Sequence, residues 1–255
     1  ILVATPGRAL DLLGQGVLDF SDVKVVAIDE ADQMADMGFL PQVTKLLDRM
    51  PERTQHLLFS ATLDGDVQVL VDKYMRDPVT HSTGEATASV DTMNHLLGVV
   101  ESREERNELV VAIGKLRQRT VMFMRTKYAV DRQVKKLVRA GVPAVGIHGN
   151  KGQNSRQSAL DGFTEGKSSV LVATDIAARG IDVKDVELVV HIDPPAEHKA
   201  YVHRAGRTAR AGASGTVVTL TFADAQHDTE KMMAKAGVHP TVLPGAKLIA
   251  ALRKS

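Results

Sequence analysis

Val23-Lys24-Val25-Val26-Ala27-Ile28-Asp29-Glu30-Ala31-Asp32 is an apolar run that ends in three acids. Short runs of β-branched and apolar residues mark strands buried on both faces of a parallel sheet, and in such sheets ligands sit beyond the carboxyl ends of the strands. This stretch therefore predicts a buried strand with Asp29, Glu30 and Asp32 emerging at the ligand-bearing edge. Two adjacent carboxylates there suit phosphoryl chemistry: one holds a hydrated Mg²⁺ against phosphates while its neighbour orients or deprotonates the attacking water. Acids are equally at home in a plain solvated turn after a strand. The surrounding sequence decides between the two.

Upstream, Ile1 to Ala4 reads as a strand, and Thr5-Pro6-Gly7-Arg8 as a turn opening a helix through Leu13. A hydroxyl, exposed amides and an Arg in one loop suit a nucleic-acid phosphate, although a tetrapeptide of this kind also serves as a simple turn. Downstream, Pro41 to Met50 predicts a helix, and His56 to Phe59 a strand that ends in Ser60-Ala61-Thr62. Two hydroxyls there either bridge a neighbouring carboxylate or cap the next helix, predicted from Asp64 to Tyr74. From Asp77-Pro78 to about Thr92 the periodicity is lost, and the small polar run Ser82 to Ser89 reads as a linker.

A second succession of strands and helices follows. Ser102-Arg103-Glu104-Glu105 has the spacing of a capping box. Strands are predicted at Val121 to Met124, Val145 to His148, Val170 to Ala173, Leu188 to Ile192 and Thr216 to Leu220. Between the first two, a helix places Val130, Val134, Leu137 and Val138 on one stripe, with Arg132, Lys135, Lys136 and Arg139 on a solvated face. Further helices are predicted at Asn154 to Thr164 and His198 to Arg204. Strands alternating with helices argue for parallel sheets.

Three stretches of this half carry more than fold. Thr174-Asp175 through Arg179-Gly180-Ile181-Asp182 gathers a hydroxyl, acids, an Arg and a Gly after one strand. In Tyr201 to Arg210, Arg207 and Arg210 stand three residues apart, so both guanidinium groups reach one side of a helix end. Such planar, permanently charged forks suit a phosphate whose charge grows in the transition state, or form an ordinary surface charge run. His148-Gly149 followed by Gln153 to Arg156 runs from a strand end into a helix start, which suits contact with a phosphate backbone.

The 255 residues, 44% of them hydrophobic, support one large or two medium cores. Net charge is +1, so any nucleic-acid contact must come from local basic clusters. The chain has no cysteine, which excludes disulfides and thiolate metal sites and suits a reducing, cytoplasmic setting. No apolar run approaches membrane-spanning length. The chain begins Ile-Leu-Val-Ala-Thr, without Met and inside a predicted strand, which reads as an internal fragment.

Taken together, these motifs resemble those of the DEAD-box family of ATP-dependent RNA helicases, in the family's order: Thr5-Pro6-Gly7-Arg8, Asp29-Glu30-Ala31-Asp32, Ser60-Ala61-Thr62, Phe123 to Lys127 with Thr126, Gln153 to Arg156, Thr174-Asp175 to Asp182, and His203 to Arg210. The resemblance covers residues 1 to about 222. It implies an α/β protein of two RecA-like parallel-sheet domains in tandem, the first truncated at its N-terminus, with ATP in the cleft between them and RNA across both. The expected divisions are 1–80 for the later half of domain one, 81–92 for the linker, 93–222 for domain two and 223–255 for an extension outside the family core.

By the family pattern, Asp29 would hold Mg²⁺ through water and Glu30 would be the catalytic base. Asp32, Ser60, Thr62 and His203 would couple the domains. Asp182 would contact the ATP ribose, and Arg207 and Arg210 the γ-phosphate. Thr5, Gly7, Arg8, Thr126, Arg156 and Thr174 would touch the RNA backbone. The chain departs from the pattern at Ala205, where the family usually has a branched apolar residue, and at Ala209, where it has Gly; both changes are small and expected to be tolerated. No G-x-x-x-x-G-K-[ST] phosphate loop occurs in the sequence, so the resemblance places that loop before Ile1. This keeps open a non-catalytic RNA-binding module, alongside a related two-domain DNA helicase.

Overall fold

The structure, a computed structural model, describes residues 1–253 apart from 64, 83–92, 117, 179–182, 184–185 and 210–214. The chain divides into two units, Ile1–Thr83 and Gly84–Ser255. The division falls in the stretch read as a linker, most of which lies outside the described residues.

In the first unit, β1 (Val25–Ile28) pairs in parallel with β2 (Gln55–Leu58), in the register Val25 opposite Gln55 through Ile28 opposite Leu58. The helices Pro6–Gly14, Ala31–Asp36, Leu40–Leu47 and Gly65–Tyr74 accompany this pair. Pro6 and Pro41 each sit in the first turn of their helix, where a missing amide leaves no bond unmade. Ile28, Ala31, Val43, Leu47, Val67 and Leu70 form the core.

Two expectations are corrected here. β1 is not buried on both faces: Val25 is 52% exposed and Ile28 only 6%, because the core of this unit lies on one side of the strand pair. Ile1 to Ala4 joins no ladder among the described residues and is exposed, since only β1 and β2 pair in this sheet.

The second unit holds β3 (Asn94–Val100), β4 (Thr120–Phe123), β5 (Ala144–Ile147), β6 (Val170–Ala173), β7 (Leu188–His191), β8 (Thr216–Phe222) and β9 (Thr241–Pro244). Among the described residues they form one all-parallel sheet in the order β5-β6-β4-β7-β8-β3-β9. Every residue of β4, β6 and β7 is buried, and a separate apolar cluster covers each face of the sheet. The chain crosses β4 on its way from β6 to β7, so the carboxyl ends of these three strands form the switch point where ligands are expected.

Residues 223–253, expected as part of an extension outside the family core, add a strand and helices to this unit. β9 pairs with β3, and the helix Gly245–Leu252 buries Leu248 and Leu252 in one of the two cores. Gly98 in β3 makes room for it: a Cβ there would lie 2.9 Å from Leu220 Cδ2 and 3.0 Å from Leu248 Cδ2. The helix Gln226–Lys235 buries Met233 in the opposite core.

Two local readings also shift. The helix Lys127–Arg139 buries Val130, Gln133 and Leu137, whereas Val138 is 55% exposed. Ser102 Oγ caps its helix by accepting from Glu105 N at 3.0 Å, but the Glu105 carboxylate reaches the amide of Glu101 rather than that of Ser102. No helix among the described residues is long and apolar enough to cross a membrane.

Candidate active site

In the first unit the three acids leave the carboxyl end of β1 and open the helix Ala31–Asp36. The turn is laced to its neighbour: Phe59 N donates to Ile28 O at 2.8 Å, and Ala31 N donates to Phe59 O at 3.1 Å. Asp32 is buried, its amide donating to Ser60 Oγ at 3.2 Å, while the Ser60 hydroxyl donates to Thr62 O at 2.6 Å. The hydroxyl loop after β2 thus fixes the acid-bearing loop after β1 through the backbone of Phe59 and the Ser60 hydroxyl. Thr62 Oγ1 is buried without a hydrogen-bond partner.

Asp29 and Glu30, by contrast, are exposed. Asp29 Oδ1 accepts from Glu30 N at 2.9 Å, and Glu30 has φ 49 and ψ 49, the left-handed region that L side chains seldom occupy. Such strain clusters where a side chain must be aimed at a ligand. Thr5, Gly7 and Arg8 lie at the exposed start of the helix Pro6–Gly14, and Arg8 pairs with Asp11 one turn on.

In the second unit the expected residues collect on the carboxyl edge of the sheet. Thr126 follows β4 and caps the helix Lys127–Arg139, its Oγ1 accepting from Ala129 N at 3.2 Å and its own proton left to donate. Thr174 follows β6, and Asp175 opens the short helix Asp175–Ala178. Arg156 leans from the helix Gln153–Thr164 onto that helix, Nη2 donating to Ala177 O at 3.4 Å, with Nε buried and unpartnered. His203 and Arg207 are half-buried, at and just beyond the end of the helix His198–Ala205, where they share a small pocket with Phe123, Asp175 and Arg204. Asp182 and Arg210 lie outside the described residues.

The groups that hold this edge together were not singled out from sequence. Arg204, 4% exposed, grips Asp175 with two bonds, Nε to Oδ1 at 2.5 Å and Nη2 to Oδ2 at 2.7 Å, and donates through Nη1 to Asp193 O at 2.9 Å. Asp193, just beyond β7, accepts from Arg106 Nη1 at 3.1 Å and from Arg125 N at 3.0 Å. The loop carrying Thr174, the loop carrying Thr126 and the helix carrying His203 are therefore tied through two carboxylates. An acid following the buried run Leu188 to Ile192 is the one sequence signal for Asp193.

Beneath that helix lies a buried polar group. His95 Nδ1 meets Tyr201 OH at 2.7 Å, and His191 Nδ1 meets Thr219 Oγ1 at 3.0 Å, with the two rings of His191 and Tyr201 edge to face at 5.0 Å. Burial, then the Arg204 charge and His95, hold the His191 imidazole well below its ordinary pKa, so it is neutral; burial raises the Tyr201 phenol. Ala209 has φ 54, which explains why a glycine suits this position in the motif.

Comparison with known proteins agrees with this layout. Residues 1–70 match the family model described as DEAD/DEAH box helicase, and residues 105–212 match the helicase conserved C-terminal domain. The ATP-dependent RNA helicase DBP2 of Candida albicans is 41% identical over 225 residues, 86% of this chain and 40% of that protein. The chain thus spans about two fifths of the length of such relatives. Among solved structures, S. cerevisiae Dbp5 bound to RNA and ADP BeF3 superposes with a TM-score of 0.86 at 27% identity, covering 99% of this chain and 68% of that one. E. coli DEAD-box protein SrmB, bound to regulator of ribonuclease activity A, is 34% identical, covering 59% of this chain and 89% of that one, with a TM-score of 0.55. The order of motifs, the two parallel α/β units and these matches agree: the chain belongs to the DEAD-box helicase family.

Proposed function

We propose that this chain forms part of an RNA-dependent ATPase that couples ATP hydrolysis to separation of RNA duplexes or remodelling of ribonucleoproteins. The observation that carries the reading is the turn after β1: Asp32 is buried and held by Ser60, while Asp29 and Glu30 are presented to solvent from a strained backbone. Among the described residues no three His, Cys, Asp or Glu side chains gather to hold a metal by themselves. An exposed carboxylate is suited to Mg²⁺ that keeps most of its waters and takes its remaining ligands from phosphates. Asp29 would hold that ion, which when bound neutralises charge on the transferring phosphate.

Glu30 would accept the proton of the attacking water. Arg207, with Arg210, would face the charge that grows on the γ-phosphate, and Asp182 would bind the ribose. Thr5, Gly7, Arg8, Thr126, Arg156 and Thr174 would hold the RNA through its sugar-phosphate backbone, without reading bases. Asp32, Ser60, Thr62 and His203 would link the two units, the buried unpartnered Thr62 Oγ1 being suited to such a contact. The cysteine-free composition suits a cytoplasmic setting.

The test is RNA-stimulated ATP hydrolysis by a polypeptide that joins this chain to a phosphate-binding loop. Arg207→Ala should lower turnover about 10³-fold and Glu30→Gln about 10²-fold or more, with nucleotide-free RNA affinity nearly unchanged. Unaltered turnover in both variants would remove the roles given to Arg207 and Glu30, and no RNA-stimulated turnover in the unaltered polypeptide, with RNA still bound, would leave a non-catalytic RNA-binding module.

A further inference from the structure

The helix Lys127–Arg139 carries charge out of proportion to the rest of the second unit. Its 13 residues hold Lys127, Arg132, Lys135, Lys136 and Arg139 against a single acid, Asp131, and that acid is occupied by His148 Nε2 at 3.1 Å. The neighbouring helices are balanced in charge: Gln153–Thr164 has one base, Arg156, and one acid, Asp161, and Gln226–Lys235 sets Lys231 and Lys235 against Asp228 and Glu230. Arg132, Lys135, Lys136 and Arg139 are all exposed, and none forms an ion pair among the described residues. Packing does not require them, since Val130, Gln133 and Leu137 supply the buried face.

At the head of the same face stands Tyr128, 71% exposed, with Lys127 Nζ 5.2 Å from its ring centroid. Residues 128, 132, 135 and 139 recur every three or four positions, so they lie along one line of the helix at steps of about 5 Å. Thr126, the cap of this helix, is one of the residues the proposed function sets against the RNA backbone. The cationic line therefore begins where that backbone contact ends.

We propose that this face is a second track for single-stranded RNA, in which Tyr128 stacks on a base just beyond the Thr126 contact and Arg132, Lys135, Lys136 and Arg139 hold the phosphates that follow. An acidic peptide would satisfy the cations but would leave the exposed aromatic ring unused, whereas an aromatic platform followed by cations is the combination that holds a single strand without reading its sequence. The inference rests on the helicase reading of the site and adds length to its RNA footprint.

The test uses residues 1–255 and two oligouridines, one of about 6 nucleotides, which fits the Thr126 contact alone, and one of about 20, which reaches both tracks. Replacing Arg132, Lys135, Lys136 and Arg139 together by Gln should lower the log-log salt slope for the long oligomer by about 2.8, at about 0.7 per phosphate contact, and leave the short one unchanged. Tyr128→Ala should weaken the long oligomer about fivefold or more, and Tyr128→Phe should restore it. If the short oligomer binds but the long one is indifferent to both changes, the second track is wrong and the site reading stands. Competition by polyglutamate as effective as by RNA, with no effect of Tyr128→Ala, overturns it in favour of an acidic partner. Failure of the unaltered chain to bind either oligomer overturns the RNA reading of the site and this track with it.

Discussion

In the first unit Val25, Leu57 and Phe59 are 52%, 37% and 55% exposed, whereas every residue of β4, β6 and β7 in the second unit is buried. β1 reads like β4, β6 and β7, a short run of β-branched and apolar residues; what differs is what covers it. Two parallel strands with a core on one side carry the exposed acids Asp29 and Glu30, while the other set of reactive groups stands on a sheet enclosed on both faces. The difference teaches that the apolar pattern specifies strand and edge, whereas the number of neighbours decides how stable that edge is.

The largest expected effect is on independent folding. Two strands with a small core are marginal in water. Residues 84–255 alone should unfold cooperatively in urea, and residues 1–83 alone should show no cooperative transition. Ending the second unit at 222 should abolish its cooperativity, because that cut removes β9 from the edge of β3 together with the fully buried Met233 and Leu248. Cooperative unfolding of 84–222 with an undiminished denaturant slope would show that the residues past Phe222 do not belong to the cooperative unit.

Ion pairs sharpen the contrast. Arg204 is 4% exposed and its pair with Asp175 is bidentate; the Lys73 to Asp48 pair of the first unit, at 3.1 Å, joins side chains about half exposed. Stripping a buried charge of its partner is costly, whereas surface pairs contribute little. Asp175→Ala should lower the stability of the second unit by about 3 kcal/mol, and Lys73→Ala that of the first by no more than about 0.5 kcal/mol. Equal losses in the two variants, read from denaturant midpoints, would mean that the carboxylate network adds nothing beyond surface charge.

His191 gives the second unit a pH dependence. Its folded pKa is depressed, so below about pH 6.5 the unfolded chain binds a proton that the folded one refuses, and stability should fall by about 1.4 kcal/mol per pH unit. Tyr201 acts at the other limit: its folded pKa is raised, so stability should fall as pH climbs above about 10. Denaturation of the second unit at a series of pH values should show both limbs, and His191→Gln should flatten the acid one. In the first unit His56 is half-buried and His81 exposed, so no comparably enclosed imidazole lies among its described residues.

How far sequence alone reaches follows the same division. Most strands and most helices were legible because each is specified by a local run, and the Asp29 to Asp32 turn because its acids are contiguous. Neither β3 nor β9 was: β3 (Asn94–Val100) follows directly on the stretch whose periodicity is lost to about Thr92, and Pro240 and Pro244 bracket Thr241 to Leu243, proline arguing against a strand anywhere but at an edge, which is where β9 lies. The apolar side chain of Val138 predicts a buried position, yet it faces solvent and Gln133 is buried instead. The clamp of Arg204 on Asp175, and of Arg106 on Asp193, spans 29 and 87 residues of sequence, and no local period carries such a pairing.

The smallest effect separates strain that is compensated from strain that is not. Glu30 and Ala209 both hold left-handed backbones, at φ 49 and φ 54, where an L side chain costs about 1 to 2 kcal/mol relative to glycine. Replacing either by glycine relieves that strain but returns about 0.5 to 1 kcal/mol to the unfolded chain as entropy. Ala209 is 7% exposed and its methyl packs in the core, so glycine there also forfeits about 0.8 kcal/mol of burial, and Ala209→Gly should be close to neutral. The Glu30 side chain is exposed and forfeits nothing of the kind, so Glu30→Gly should raise the stability of the first unit by about 0.5 kcal/mol while removing the proposed base. Stability gained as turnover is lost is the mark of a residue held in place for chemistry. Should Ala209→Gly prove the more stabilising of the two in the full chain, the strain at Glu30 is relieved by contacts other than those of its own turn, and its backbone is not evidence for catalysis.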